Sequence, residues 1–334
     1  MTDREAWLKL TREVAVEPEL PICDPHHHLW NHPGSRYLVD EFLQDLGGGH
    51  RIASTVFVEC LQFYRPEGPA ELRPVGETEF IDSIAGKYPT PNGSVEIAAG
   101  IVAFADLTLG AKVQTVLDAH QATSKRLRGI RHATAWDVSE QVHNAHTRPT
   151  QDVMQQPDFL AGLTCLQRSG LVFDAWVFHP QVAQLAQLAK EFPQLTIVLN
   201  HMAGPIGVGP YAANRERVMD DWKAALALLA GLDNVYVKLG GRTMTMAGFA
   251  WHKRDKPAGS VELAEQVGPY YQYCIDLLGA ERCMFESNFP VDRASCSYTV
   301  LWNAYKRLSQ HYPATERAAL LHDTATRVYR LAAS

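Results

Sequence analysis

Short apolar runs rich in β-branched residues recur along the chain, at residues 21–24, 53–59, 97–104, 127–132, 172–178, 196–200, 234–239 and 282–286. Between and after them lie longer stretches in which apolar positions return every three or four residues, at 37–46, 75–88, 112–122, 181–192, 215–230, 261–278, 298–311 and 314–331. The first pattern predicts strands and the second helices, because side chains alternate faces along a strand and return to one helix face about every 3.6 residues. Eight strands alternating with helices predict an α/β fold, a single-domain (β/α)8 TIM barrel, since parallel strands need crossover connections. A doubly wound sheet is the alternative. Residues 1–20 read as an N-terminal extension and 21–334 as the barrel. Two long connections, 137–150 and 240–259, predict loops that serve as lids or binding loops.

What favours the barrel is the position of its unusual polar residues. His26, His28, Glu59, Arg131, His179, His201 and Asn288 all fall at or just past the end of a predicted strand. In a TIM barrel that end is the catalytic face. In Asp24-Pro25-His26-His27-His28, strand alternation sends His26 and His28 to one side, into the barrel mouth, and His27 to the other. Two imidazoles at i and i+2 can chelate one divalent ion or flank one substrate oxygen, although an isolated H-x-H is as readily a hydrogen-bonded turn. His179 and His201 at two further strand ends turn that pair into a candidate site.

Composition changes the picture by exclusion. At 46% apolar and 20% charged residues the chain is globular, and 31 basic against 37 acidic side chains give a net charge of -6 without a basic stripe. Nucleic-acid binding is therefore not expected. Neither an apolar signal segment at the N-terminus nor a run of about 18 apolar residues is present, so export and membrane partners are not expected either. The six cysteines contain no C-x-x-C pair, which reads as free thiols in a reducing cytoplasm. A small-molecule substrate and a homo-oligomeric assembly complete the expectation.

H-x-H after the first strand, with a histidine after the fifth and another after the sixth, resembles the amidohydrolase superfamily. The segments CDPHHHLW, LRGIRH, VFHPQ, VLNHMAGP and CMFESNFPVDR are similar to its branch of pyrone-dicarboxylate lactonases and sugar lactonases. The resemblance spans roughly residues 21–331. It implies a hydrolase that opens a small lactone, carboxylated or not, by adding water at the ring carbonyl, with a divalent metal such as zinc or without one. On that reading His26, His28 and His179 hold the metal or polarise the carbonyl, while His201 orients water or stabilises the oxyanion. Two other readings stand beside it: a metal-dependent decarboxylase of an aromatic or enoic acid, and a binding protein on a barrel that has lost catalysis.

One position departs from the resemblance. The superfamily places an aspartate after strand eight, where this chain has Asn288, and a neutral amide is no general base. Glu286, two residues upstream on the same face, and Asp292, four downstream, are the replacement candidates, with Glu59 as a third. A structural ion pair in the barrel is the competing role for Glu286. Arg131 and His132 read as contacts to a substrate carboxylate or carbonyl, because a guanidinium offers a planar fork of donors. Glu59 and Trp30 complete the expected substrate contacts. Lys238 ends the seventh strand, where it competes with a metal or forms a salt bridge.

Overall fold

A computed structural model of the chain describes residues 3–332. Its main sheet contains eight parallel strands in sequential order: β1 Ile22–His27, β2 Ile52–Val58, β3 Gly93–Ala103, β4 Leu127–Arg131, β5 Val172–Ala175, β6 Ile197–Leu199, β7 Val235–Leu239 and β8 Cys283–Phe285. The end of β8 returns to β1, with Asn288 N–H donating to His26 O (2.9 Å) and His28 N–H to Phe289 O (2.7 Å), so the sheet closes into a barrel. The fold is the single-domain (β/α)8 barrel that the alternation predicts.

Helices α1 Val39–Leu46, α2 Val75–Ile84, α3 Val113–Thr123, α4 Pro157–Arg168, α5 Val182–Glu191, α6 Arg215–Ala227, α7 Ser260–Leu278 and α8 Tyr298–Leu308 follow the eight strands in turn. Their buried faces meet the outward side chains of the strands in one large apolar layer that includes Phe57, Ile101, Ile130, Phe173, Leu199 and Phe285. The barrel interior is a separate core of Cys23, Val56, Val58, Val102, Val172, Val198 and Met284. Ala325, Val328, Tyr329 and Leu331, from the last helical segment and the residues after it, join that interior core.

Two elements differ from the sequence pattern. Helix α4 was not among the expected helices: Gly162, Thr164 and Cys165 dilute its helical propensity, although Pro157 at its first turn is a good opening signal. The helix expected over 75–88 stops at Ile84, and Gly86–Thr90 instead pairs antiparallel with the start of β3. A further short hairpin, Trp30–His32 with Ser35–Tyr37, follows β1. Among the described residues no helix is long and apolar enough to cross a membrane.

Candidate active site

Register decides which residues share the mouth. Arg131 pairs with Asp174 across β4 and β5, and Lys238 with Met284 across β7 and β8. Arg131, Asp174, Lys238 and Glu286 thereby form a polar layer above the apolar interior, each 7% exposed or less. His26 completes it. The β1 register shifts between Asp24 and His27, which turns His26 inward, whereas His27 faces outward, stacks on Phe42 and bonds Thr55 Oγ1 through Nε2 (2.9 Å).

Glu286 is the centre of this layer. Its Oε1 accepts from the Nδ1 of His201 at 2.6 Å and from the His201 backbone N–H at 3.2 Å. Its Oε2 lies 2.7 Å from the Nδ1 of His26 but off the line of a hydrogen bond, and has no hydrogen-bond partner. Burial pushes the Glu286 carboxyl up to about 8, partly offset by Lys238. Burial, with Lys238 next for His26 and Arg131 next for His201, drives both imidazoles well below their ordinary range, so they are neutral at pH 7.

His28 joins His26 Nε2-to-Nε2 at 3.2 Å, and its Nδ1 meets the carbonyl of Val58 at 2.8 Å, which assigns the ring proton to Nδ1. Arg131 reaches the same His26 Nε2 with Nη1 at 3.3 Å, while its Nε and Nη2 are held by Glu59 Oε1 (2.7 Å) and the Glu59 carbonyl (2.6 Å). Lys238 Nζ stands 3.4 Å from His26 Nδ1 and donates to Asp174 Oδ1 at 2.6 Å.

The backbone around this cluster makes room for it. A Cβ on Gly240 would collide with Glu286, and one on Gly241, whose φ is +69°, would lie 2.7 Å from Cγ of His201. His201, Met202 and Ala203 all adopt positive φ, a run that Trp222 of α6 pins by donating Nε1–H to the Met202 carbonyl at 2.7 Å. Trp176, two residues past Asp174, meets the His201 ring nearly at right angles with centroids 4.7 Å apart. Strand parity could have found it, since it follows Asp174 on the inward face.

The remaining expected residues lie around the cluster. His179 opens a short turn four residues past the last residue of β5; its Nδ1 accepts from Ile206 N–H (3.4 Å), its ring meets Tyr211, and burial pushes it down to about 4. His132 occupies the face opposite Arg131, between Phe104 and Phe159, and accepts from Leu107 N–H at 3.1 Å. Trp30 stands at the rim with its ring 6.2 Å from that of His28. Asn288 donates to Asp292 Oδ2 at 3.2 Å, and burial raises Asp292 to about 7 against the pull of Thr243.

His26, His201 and Glu286 bring one donor atom each within 4.8 Å of one another, all buried. The trio fits a divalent metal: imidazole and carboxylate are zinc donors, the imidazoles are already neutral, and Oε2 of Glu286 lacks a partner. His28 adjoins this trio, whereas the contacts of His179 run to Ile206 and Tyr211. The reason is that β5 ends at Ala175, three residues before the expected limit, and gives its inward places to Asp174 and Trp176.

The sequence pattern described as amidohydrolase matches residues 23–331. The chain belongs to the amidohydrolase family. This amidohydrolase is 29% identical to uncharacterized protein y4mH of Sinorhizobium fredii, over 94% of its own length and 99% of that protein. It is 28% identical to the L-fucono-1,5-lactonase of Burkholderia multivorans over 62% of its own length and 64% of the relative's. Among solved structures, an amidohydrolase from Burkholderia multivorans with bound zinc superposes with a TM-score of 0.69 at 22% identity, over 93% of this chain and 99% of that one. The family and its lactonase branch make this chain a hydrolase.

Proposed function

We propose that this amidohydrolase opens a small sugar lactone by adding water to the ring carbonyl. The observation that carries the reading is one buried carboxylate, Glu286, contacting the imidazoles of His201 and His26 at the catalytic end of the barrel. With His201 Nδ1 committed to Glu286, the other ring nitrogen is left to take the proton of the attacking water, and that proton is shared over the His201 and Glu286 pair. The Arg131 guanidinium beside His26 polarises the carbonyl oxygen and receives the charge that develops on it. A divalent ion held by His26, His201 and Glu286 would take up the free His201 nitrogen and would supply Lewis-acid polarisation and a more acidic water in place of that base.

Charge pairing favours an uncharged ring over a carboxylated one. Arg131 keeps Nη1 for one carbonyl oxygen, but its Nε and Nη2 are held by Glu59, and Lys238 is held by Asp174, so neither strand-borne cation presents the paired donors that grip a substrate carboxylate. The named lactonase relatives support the reaction class, and the six free thiols support a reducing, cytoplasmic setting. The test is a panel of aldono-1,4- and aldono-1,5-lactones beside 2-pyrone-4,6-dicarboxylate, read with a pH indicator. Proton release from neutral aldonolactones is expected. Carbon dioxide release from an accepted acid, or turnover of the dicarboxylate alone, contradicts the reading.

A further inference from the structure

Two clamped cations flank His26. On one side Lys238, fully buried, places Nζ 3.4 Å from Nδ1; on the other Arg131 places Nη1 3.3 Å from Nε2. Neither is free to withdraw. The ammonium is held by Asp174, whose Oδ1 also accepts from Asn200 Nδ2 at 2.8 Å and whose Oδ2 accepts from the Tyr329 hydroxyl at 2.8 Å. Tyr329 belongs to the C-terminal segment that joins the apolar interior of the barrel, and the Lys238 ammonium lies 5.2 Å from its ring centroid. With its oxygens engaged in this way, Asp174 is fixed beneath Lys238.

We propose that Lys238, clamped by Asp174 and Tyr329, is a resident cation that sets the metal affinity of the His26, His201 and Glu286 trio, so that the trio holds a single divalent ion weakly and exchangeably. A divalent ion on His26 meets a fixed positive charge of the same sign in a dry, low-dielectric setting, where such repulsion is poorly screened. Asp174 offsets part of that charge, but the group that stands against the His26 ring nitrogen is the ammonium. The inference rests on the metal fit of the trio and not on the choice of substrate.

The experiment is zinc titration by calorimetry of chelator-stripped protein at neutral pH, comparing wild type with Lys238→Met, Lys238→Gln and the double variant Lys238→Met, Asp174→Asn. The double variant leaves no unpaired buried charge and guards against misfolding, which thermal unfolding of each stripped protein monitors. Both single variants should bind one zinc at least about tenfold more tightly than wild type, the scale on which groups around a ligand shell act. The double variant should fall between. Affinity unchanged in all three overturns the inference, as does a gain confined to one of the two single variants, since loss of charge is common to both. If no form binds zinc, the metal fit falls with it, while lactone hydrolysis by the stripped wild type still reports on the proposed reaction.

Discussion

Glu286 holds two imidazoles on one carboxylate, and everything proposed for the site passes through it. Replacing it by Gln keeps the shape and an accepting oxygen for His201 but removes the carboxyl that can take up and release a proton, so kcat should fall by about a hundredfold or more, the scale of a lost general base. Thermal unfolding should change little by comparison; an unchanged kcat would move the proton to another group. Gly241→Ala tests the same centre from the backbone, because the new methyl would press on the His201 ring at a φ of +69°. It should lower kcat with only a modest effect on KM, measured by steady-state hydrolysis. Much of this centre was legible. Alternation set His26 and His27 on opposite faces, whereas the register shift that turns His26 inward could not be read, and the missing carboxylate at Asn288 pointed to Glu286 two residues away. Lys238 was open between metal competitor and salt-bridge partner, because its partner Asp174 lies 64 residues away and only the β5 and β7 registers bring them together.

At the scale of elements, the turn after β6 aims His201 by running three residues through positive φ, a conformation that costs about 1–3 kcal/mol per residue. Helix α6 holds it in place through the bond from Trp222 to the Met202 carbonyl. Trp222→Phe should therefore destabilise the protein by about 1–3 kcal/mol, as expected when a buried carbonyl loses its partner. It should lower kcat more than it raises KM, whereas full activity in the variant would mean the turn holds itself. No sequence rule announces three non-glycine residues in a left-handed run, which is why this turn could not be read in advance. The position of His179 was hidden for a related reason: the β-rich run 172–178 continues past Ala175, where pairing with β6 ends. Helix α4 was lost to weak propensity, and the Gly86–Thr90 strand to an apparent continuation of α2.

At the scale of the whole molecule, the eight-strand alternation was legible because each strand must be apolar toward the helices, whatever the loops do. Long-range burial of charge was not, and Glu77 of α2 shows its consequence. Its Oε1 accepts from the N–H groups of Cys60 and Gln62 beyond β2, and burial, reinforced by Glu59, lifts it from 4.5 to about 8. Between those values the folded chain binds a proton that the unfolded chain releases, so this group's contribution to stability is full below the lower value and is lost as pH rises toward the upper. Glu77→Gln keeps the accepting oxygen and should flatten the fall in Tm across that window. An identical pH slope in the variant would assign it elsewhere.

The central claim is that water adds to a lactone carbonyl at the Glu286 centre. Hydrolysis of an accepted aldonolactone in water enriched with oxygen-18, followed by mass spectrometry of the product acid and its fragments, tests it directly. One heavy oxygen in the new carboxylate, and none in the alcohol released from the ring, is the predicted outcome. A heavy oxygen in the alcohol, or loss of the carboxyl carbon as carbon dioxide, would contradict it.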